Sequence, residues 1–282
     1  MAARLLGAHM PIKQGLGAAL RNGKKIGCDA VQVFTSSPQQ WYSKPLTPDM
    51  VEDFQKAQVE TGITQVVSHD SYLINLCSVD QALAEKSFEG LKAEMLRCKL
   101  YGIPYVVSHI GRCKDQTEGE ALLKAGEAIR RLLDQTPEGV MLLMETTAGQ
   151  ASALNHRFEH LALLLELCEQ HPRLGVCLDT CHVFVAGYDI RTEETYERTF
   201  GEFERIVGLQ HLKVIHCNDS QKDFRSHVDR HEHIGKGCLG LEAFRLLVND
   251  PRFENTPILL ETNEPEEMHP VNLSVLRSLV DG

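Results

Sequence analysis

The sequence predicts a single (β/α)8 barrel, the TIM-barrel class of α/β fold, with residues 1–282 forming one domain. Three observations carry that prediction. Eight short β-branched or apolar runs recur along the chain, stretches of helical periodicity separate them, and glycine or proline marks many of the returns into the next run. No linker, repeat or low-complexity segment interrupts the series.

In chain order the strand candidates are 5–10, 30–35, 65–69, 105–109, 141–145, 174–179, 212–218 and 257–261. Between them lie helix candidates at 48–61, 79–100, 117–135, 157–169, 193–207 and 241–249, several with Asp, Thr or Asn near their starts, where a side-chain oxygen can accept from a free backbone N–H. Gly62, Gly102, Pro104, Pro137, Gly139, Pro172 and Pro257 punctuate the returns to strand. A doubly wound open sheet is disfavoured because its glycine-rich first turn is missing, Gly15-Leu-Gly17 being too short to serve.

The 282 residues, 43% hydrophobic and 24% charged, are enough to bury one large core. No apolar run approaches the roughly 18 residues of a membrane span, and the N-terminal run has no leader pattern, so no membrane partner and no export are expected. Nine cysteines, scattered and often inside apolar runs (Cys28, Cys98, Cys168, Cys177), suit buried thiols in a reducing, cytoplasmic compartment. The formal charge of -10 by itself argues against a nucleic-acid partner. Bound divalent cations would offset many of the carboxylates counted, so charge does not exclude that partner.

In a barrel of this class the reactive groups gather where strands end, at the C-terminal face. The third candidate ends at His69, the fourth at His109, the fifth at Glu145, the sixth at Asp179 and the eighth at Glu261, while the seventh reaches His216. A lone histidine in an apolar context is more often a hydrogen-bonded core residue than a ligand. Six convergent groups reverse that expectation, because carboxylates and imidazoles crowded on one face need cations among them. His182, just after the sixth strand, and Asp229 and His231, in the loop after the seventh, extend the set to nine. Nitrogen mixed with carboxylate oxygen, with no convincing thiolate set, suits zinc, with manganese or iron as substitutes and magnesium less so. Cys177 and Cys181 lack a second matching pair and read as packing. Nine ligands exceed the needs of one zinc and fit two or three ions sharing a carboxylate, a device for activating hydroxide and cleaving phosphoesters.

The run Gly175-Val-Cys-Leu-Asp179-Thr-Cys-His182 resembles the GVCxDTCH signature of the endonuclease IV family, zinc-dependent abasic-site endonucleases. Leu143-Met-Glu145-Thr-Thr-Ala-Gly-Gln150 is similar to that family's strand-five motif. His216-Cys-Asn218-Asp219-Ser220, with Asp229-Arg-His231 and Ile234-Gly-Lys-Gly237, is similar to its strand-seven loop. With Gly7-Ala-His9-Met10 and Glu261-Thr262 the likeness covers almost the whole chain. It implies three zinc ions per chain. His69, His109 and Glu145 would hold one; Glu145 would bridge to a second held also by Asp179, His216 and Glu261; His182, Asp229 and His231 would take the third. It further implies a DNA-repair hydrolase acting on double-stranded DNA, with zinc-activated hydroxide cutting 5′ to abasic sites and leaving a 3′-hydroxyl and a 5′-deoxyribose phosphate, with 3′-end trimming as an additional activity. Glu145 and Glu261 are the expected catalytic residues, Tyr72, Leu73, Gln39 and Arg230 the expected DNA contacts, and a monomer the expected state.

Three departures from the pattern bear on DNA recognition. Ser36-Ser-Pro-Gln-Gln40 lacks the arginine often found before Trp41, His109-Ile-Gly111 lacks the usual proline, and Asp70 occupies a position usually small. The glycines beside Lys236 suit either backbone approach to a phosphate or the start of a helix. Two alternatives stand beside this reading. A divalent-metal sugar isomerase or epimerase would share the barrel but use a pocket lysine, and a non-cleaving damaged-DNA-binding protein would keep the zincs.

Overall fold

The structure, a computed structural model, describes residues 4–41 and 44–281; the first residues of the run read for a leader, and the two ends of the expected domain, lie outside it. Eight parallel strands close into a barrel. They are β1 (Leu6–His9), β2 (Ala30–Phe34), β3 (Gln65–His69), β4 (Tyr105–Ser108), β5 (Met141–Glu145), β6 (Leu174–Asp179), β7 (Leu212–His216) and, after the two-residue strands β8 (Asp219–Ser220) and β9 (His231–Glu232), β10 (Ile258–Leu260). Around the barrel each strand pairs with its neighbour in sequence, and β10 pairs with both β7 and β1.

The helices are α1 (Leu16–Lys25), α2 (Pro48–Thr61), α3 (Gln81–Tyr101), α4 (Glu118–Gln135), α5 (Phe158–Leu167), α6 (Thr180–Ala186), α7 (Glu193–Ile206), α8 (Gly240–Asn249) and α9 (Pro265–Ser278). Several begin where the sequence supplies a cap. The Asp80 side chain accepts from Ala82 N and Leu83 N, and Thr117 with Glu120 forms a reciprocal capping box. Outward-facing strand residues such as Val31, Val66, Leu142, Val176 and Ile215 pack with Phe54, Phe88, Leu161, Phe203 and Phe244 of the helices in one continuous apolar layer. No helix among the described residues is long and apolar enough to cross a membrane.

All eight expected barrel strands are present, with corrections at their ends. β1, β2, β4, β7 and β10 stop short of the ranges read from sequence, so His109 and Glu261 each stand one residue beyond their strand. Helices α1, α6 and α9 and the β8–β9 ladder were not in that reading. Pro265 and Pro270 obscured α9, but Pro265 opens the helix, where its missing N–H costs nothing.

His160, buried near the start of α5, accepts the Asn155 backbone N–H at Nδ1 (3.1 Å). Burial pushes its pKa down to about 4 despite the Glu118 carboxylate 3.2 Å away. An unfolded histidine titrates near 6.5. As pH falls from there to about 4, the unfolded chain takes up a proton that the folded chain refuses, and stability drops across that window only. Urea unfolding between pH 7 and pH 4.5 should therefore show a loss, on the order of 2 kcal/mol, that His160→Gln removes. An equal loss in wild type and variant would contradict this assignment.

Candidate metal centre

Inside the barrel, Ala30, Val67, Val107, Leu143, Cys177, Val214 and Leu259 form a small buried apolar cluster, one side chain from each of seven strands. On β1 the matching place is Gly7, where a Cβ would lie 1.8 Å from Ala30 O. Side chains two residues further along a strand point to the same face. In every strand that next inward position is polar: His9, Gln32, His69, His109, Glu145, Asp179, His216 and Glu261. An apolar plug thus carries a polar layer at the C-terminal mouth of the barrel.

Two further elements bring the remaining candidates over this layer. Asp179 caps α6, its Oδ1 accepting from His182 N (2.9 Å), which sets His182 one turn into that helix. The loop carrying Asp229 and His231 is pinned by the β8–β9 pairing of Ser220 with His231. Asp219 stiffens its base by accepting from the backbone N–H groups of Ser220, Gly237 and Leu239. At Gly237 a Cβ would meet Ser220 O at 2.3 Å, so that glycine serves the close approach of two loop segments.

The nine candidates fall into three groups whose ligand atoms lie within 4.8 Å of one another. In the first, His69 Nε2 and His109 Nε2 stand 3.1 and 2.9 Å from Glu145 Oε2. In the second, His216 Nδ1 stands 3.0 Å from Glu145 Oε1, 3.1 Å from Glu261 Oε2 and 4.0 Å from Asp179 Oδ2. In the third, His182 Nε2 and His231 Nε2 stand 3.1 and 3.3 Å from the two oxygens of Asp229. Glu145 belongs to both the first and the second. A cavity of about 510 Å³ opens over the groups, with His69, His109, His182, Asp229, His231 and Glu261 in its lining.

The electrostatics fit a cation site. Burial alone would raise the Glu145 and Glu261 carboxyls, yet the imidazoles facing them, His109 and His216 for the first and His216 and His9 for the second, hold both well below the usual range. Burial opposes charge on His69, but Glu145 beside it lifts the pKa to about 9. Charge compensation is therefore obligatory here, by protons on the rings or by metal ions in their place.

The hydrogen bonds favour the second arrangement. His69, His182 and His231 each turn Nδ1 to a main-chain carbonyl, those of Asp70 (3.0 Å), Thr146 (2.8 Å) and Glu261 (3.2 Å). A carbonyl only accepts, so each Nδ1 carries a hydrogen, and in the neutral ring each Nε2 then offers its lone pair on the side of the carboxylates, the outer-contact pattern of metal-bound histidines. The Nε2 atoms of His182 and His231 are buried and make no hydrogen bond. The residues present fit bound divalent metal.

Cys181 can also approach Asp179 and His231, but its buried thiol is directed at Arg230 O (3.8 Å). A separate group of Glu118, His156 and His160 already holds the Arg157 guanidinium against its carboxylate. Of the expected DNA contacts, Tyr72 (62% exposed) and Arg230 line the main cavity. Leu73 is half-buried and Gln39 sits exposed in a turn, and neither lines it. Gln40 and Trp41 line a second cavity of about 800 Å³ instead. Sequence reasoning missed His9 and Gln32 as site residues, although the same two-residue step that leads from Val67 to His69 leads from Gly7 to His9 and from Ala30 to Gln32.

Comparison with known proteins adds three findings. A family model described as a xylose isomerase-like TIM barrel matches residues 20–279. A probable endonuclease 4 of Chloroflexus aggregans is 50% identical over 277 residues, 97% of each chain, and one from Geobacter sulfurreducens is 44% identical over 98% of this chain and 94% of the other. The crystal structure of endonuclease IV from Thermus thermophilus superposes with a TM-score of 0.86 at 34% identity, covering 98% of both chains. A D-psicose 3-epimerase from Clostridium cellulolyticum, at 13% identity and a TM-score of 0.71, shares the fold alone.

Proposed function

The chain belongs to the xylose isomerase-like TIM barrel family and, within it, to the endonuclease IV enzymes, and from that premise we propose that it repairs DNA by hydrolysing the phosphodiester 5′ to abasic nucleotides. The observation that carries this reading is the partition of nine side chains into three ligand groups with Glu145 shared by two. On this reading the groups take three zinc ions, with manganese as a substitute, and act in a single-domain, monomeric enzyme. Nine free cysteines, most of them buried, suit a reducing cytoplasm.

Zinc bound there would neutralise charge on a phosphate and acidify water, the two services a hydrolytic metal site provides. The protein's own groups do the rest. Glu145, fully buried, fixes the rings of His69, His109 and His216 around a common centre. Glu261, with 17% of its side chain exposed to the cavity, accepts a proton from the attacking water and aims it in line with the scissile bond. Tyr72, its ring centroid 5.5 Å from Phe34 and 6.2 Å from His69, stands at the rim as a wedge that, with Leu73, fills the space left by the missing base. Arg230 and Gln39 contact the backbone of the duplex. The carboxylates that make the chain acidic are in part those that hold cations, which reconciles a charge of -10 with a polyanionic substrate.

The test is incision of a duplex oligonucleotide carrying one abasic analogue, without added magnesium, with zinc quantified on the same sample. Site-specific cutting that tracks zinc content is expected. A fully zinc-loaded protein that binds the duplex without cutting would overturn hydrolysis in favour of a binding protein.

A further inference from the structure

The polar layer holds two members, His9 and Gln32, that the three ligand groups leave out. Gln32, on β2, is completely buried and reaches three other members of the layer. Its amide Nε2 lies 2.5 Å from Glu261 Oε1 and 3.0 Å from His9 Nδ1, and its Oε1 lies 2.8 Å from His216 Nε2.

With a cation in the second group these contacts admit one assignment of hydrogens. A carboxylate that ligates a cation only accepts, so the amide NH2 faces Glu261 and the amide oxygen faces His216. That oxygen also only accepts, so the hydrogen of the His216 ring stands on Nε2. In the neutral ring the lone pair is then on Nδ1, the atom 3.0 Å from Glu145 Oε1 and 3.1 Å from Glu261 Oε2. His69, His182 and His231 have the opposite polarity, each with Nδ1 tied to a main-chain carbonyl. Four rings of one site thus expose their lone pairs inward, but His216 does so with the other nitrogen, and a side chain sets its choice.

We propose that Gln32 is a positioning residue that fixes the tautomer of His216 and, through the second end of the same amide, the orientation of Glu261, so that both present their ligand atoms to one ion. The proposal rests on the metal reading above and deepens it. The amide spans two ligands of the second group and touches none of the first or third, so its loss acts on one ion of three. Outer contacts of this kind change metal affinity by about 10–100-fold.

The shape-conserving variant Gln32→Met keeps the buried volume and removes both hydrogen bonds. Wild type and variant are dialysed against graded chelator and their zinc content measured. The variant is expected to lose one zinc per chain at a chelator concentration about 10–100-fold below that needed for the wild type, while the other two remain. The second readout is the imidazole nitrogen resonances of the zinc-loaded wild type, with the His216 signals assigned by their loss in His216→Gln. A proton on Nε2 of His216 is expected, and a proton on Nδ1 would overturn the proposal whether or not the methionine variant folds. Equal zinc retention in a folded variant would overturn it as well, leaving the metal reading intact. A wild type that takes up no zinc at all would instead overturn the metal reading, and this proposal with it.

Discussion

Glu261→Gln should abolish useful turnover while leaving abasic-duplex binding nearly unchanged. Both carboxylates assigned to catalysis are ligand candidates, but their settings differ. Glu145 is fully buried and shared between two groups, whereas Glu261 lies one residue beyond β10 and opens onto the cavity. The amide preserves the shape of the carboxylate, but it keeps only one acceptor oxygen for Gln32 and the second group together, and it cannot take up a proton. Loss of a positioned base costs on the order of 10²–10⁴-fold in rate, each tenfold being about 1.4 kcal/mol of barrier. Tyr72 and Arg230 lie outside the second group, so the contacts expected to hold DNA survive. Single-turnover incision, zinc content and fluorescence anisotropy on the same preparations separate these effects. Wild-type turnover in the variant would remove Glu261 from the mechanism. Glu145→Gln should lose more metal than Glu261→Gln, because Glu145 belongs to two groups and Glu261 to one.

Much of this site was legible in the sequence because a parallel barrel converts strand endings into a common mouth. His69, Glu145 and Asp179 close their strands, and reading the last residue of each run found them directly. His109 and Glu261 were found by the same rule although their strands stop one residue earlier, since the alternation of side chains continues past the last paired residue. What the rule lacked was the level below. The apolar plug of Val67, Val107, Leu143 and their neighbours defines which parity faces inward, and applying that parity to β1 and β2 adds His9 and Gln32. Gln32 lies inside the run read as 30–35 and not at its end, and its amide both donates and accepts, which is what two adjacent ligands of opposite demand require. The β8–β9 ladder was beyond a sequence reading for another reason. Two-residue strands carry no periodicity, and their pairing rests on Asp219 gathering two backbone donors, Gly237 N and Leu239 N, from a distant turn besides that of its neighbour Ser220.

Exhaustive chelation should silence incision and lower the melting temperature together, and zinc, but not magnesium, should restore both. The cause is the charge balance of the mouth. Glu145 and Asp179 are fully buried and Glu261 and Asp229 partly, within a few ångströms of one another and of six imidazoles. Without metal, protons on rings such as His69 and His182 offset part of these charges, and the lone-pair tautomers held by the carbonyls of Asp70 and Thr146 are then lost. An ion that binds only the folded chain adds about 4 kcal/mol at a thousandfold excess over its Kd. For a chain of this length that is a rise on the order of 10 °C for each such site. Magnesium prefers oxygen ligands and retains its waters, so a histidine-rich set should not hold it. Because ligation requires bare ring nitrogens, the stabilisation by zinc should also shrink as the pH is lowered. A chelated sample shown to be free of zinc that melts and cuts as before would mean that protons alone satisfy the site, and that the nine side chains serve some purpose other than metal.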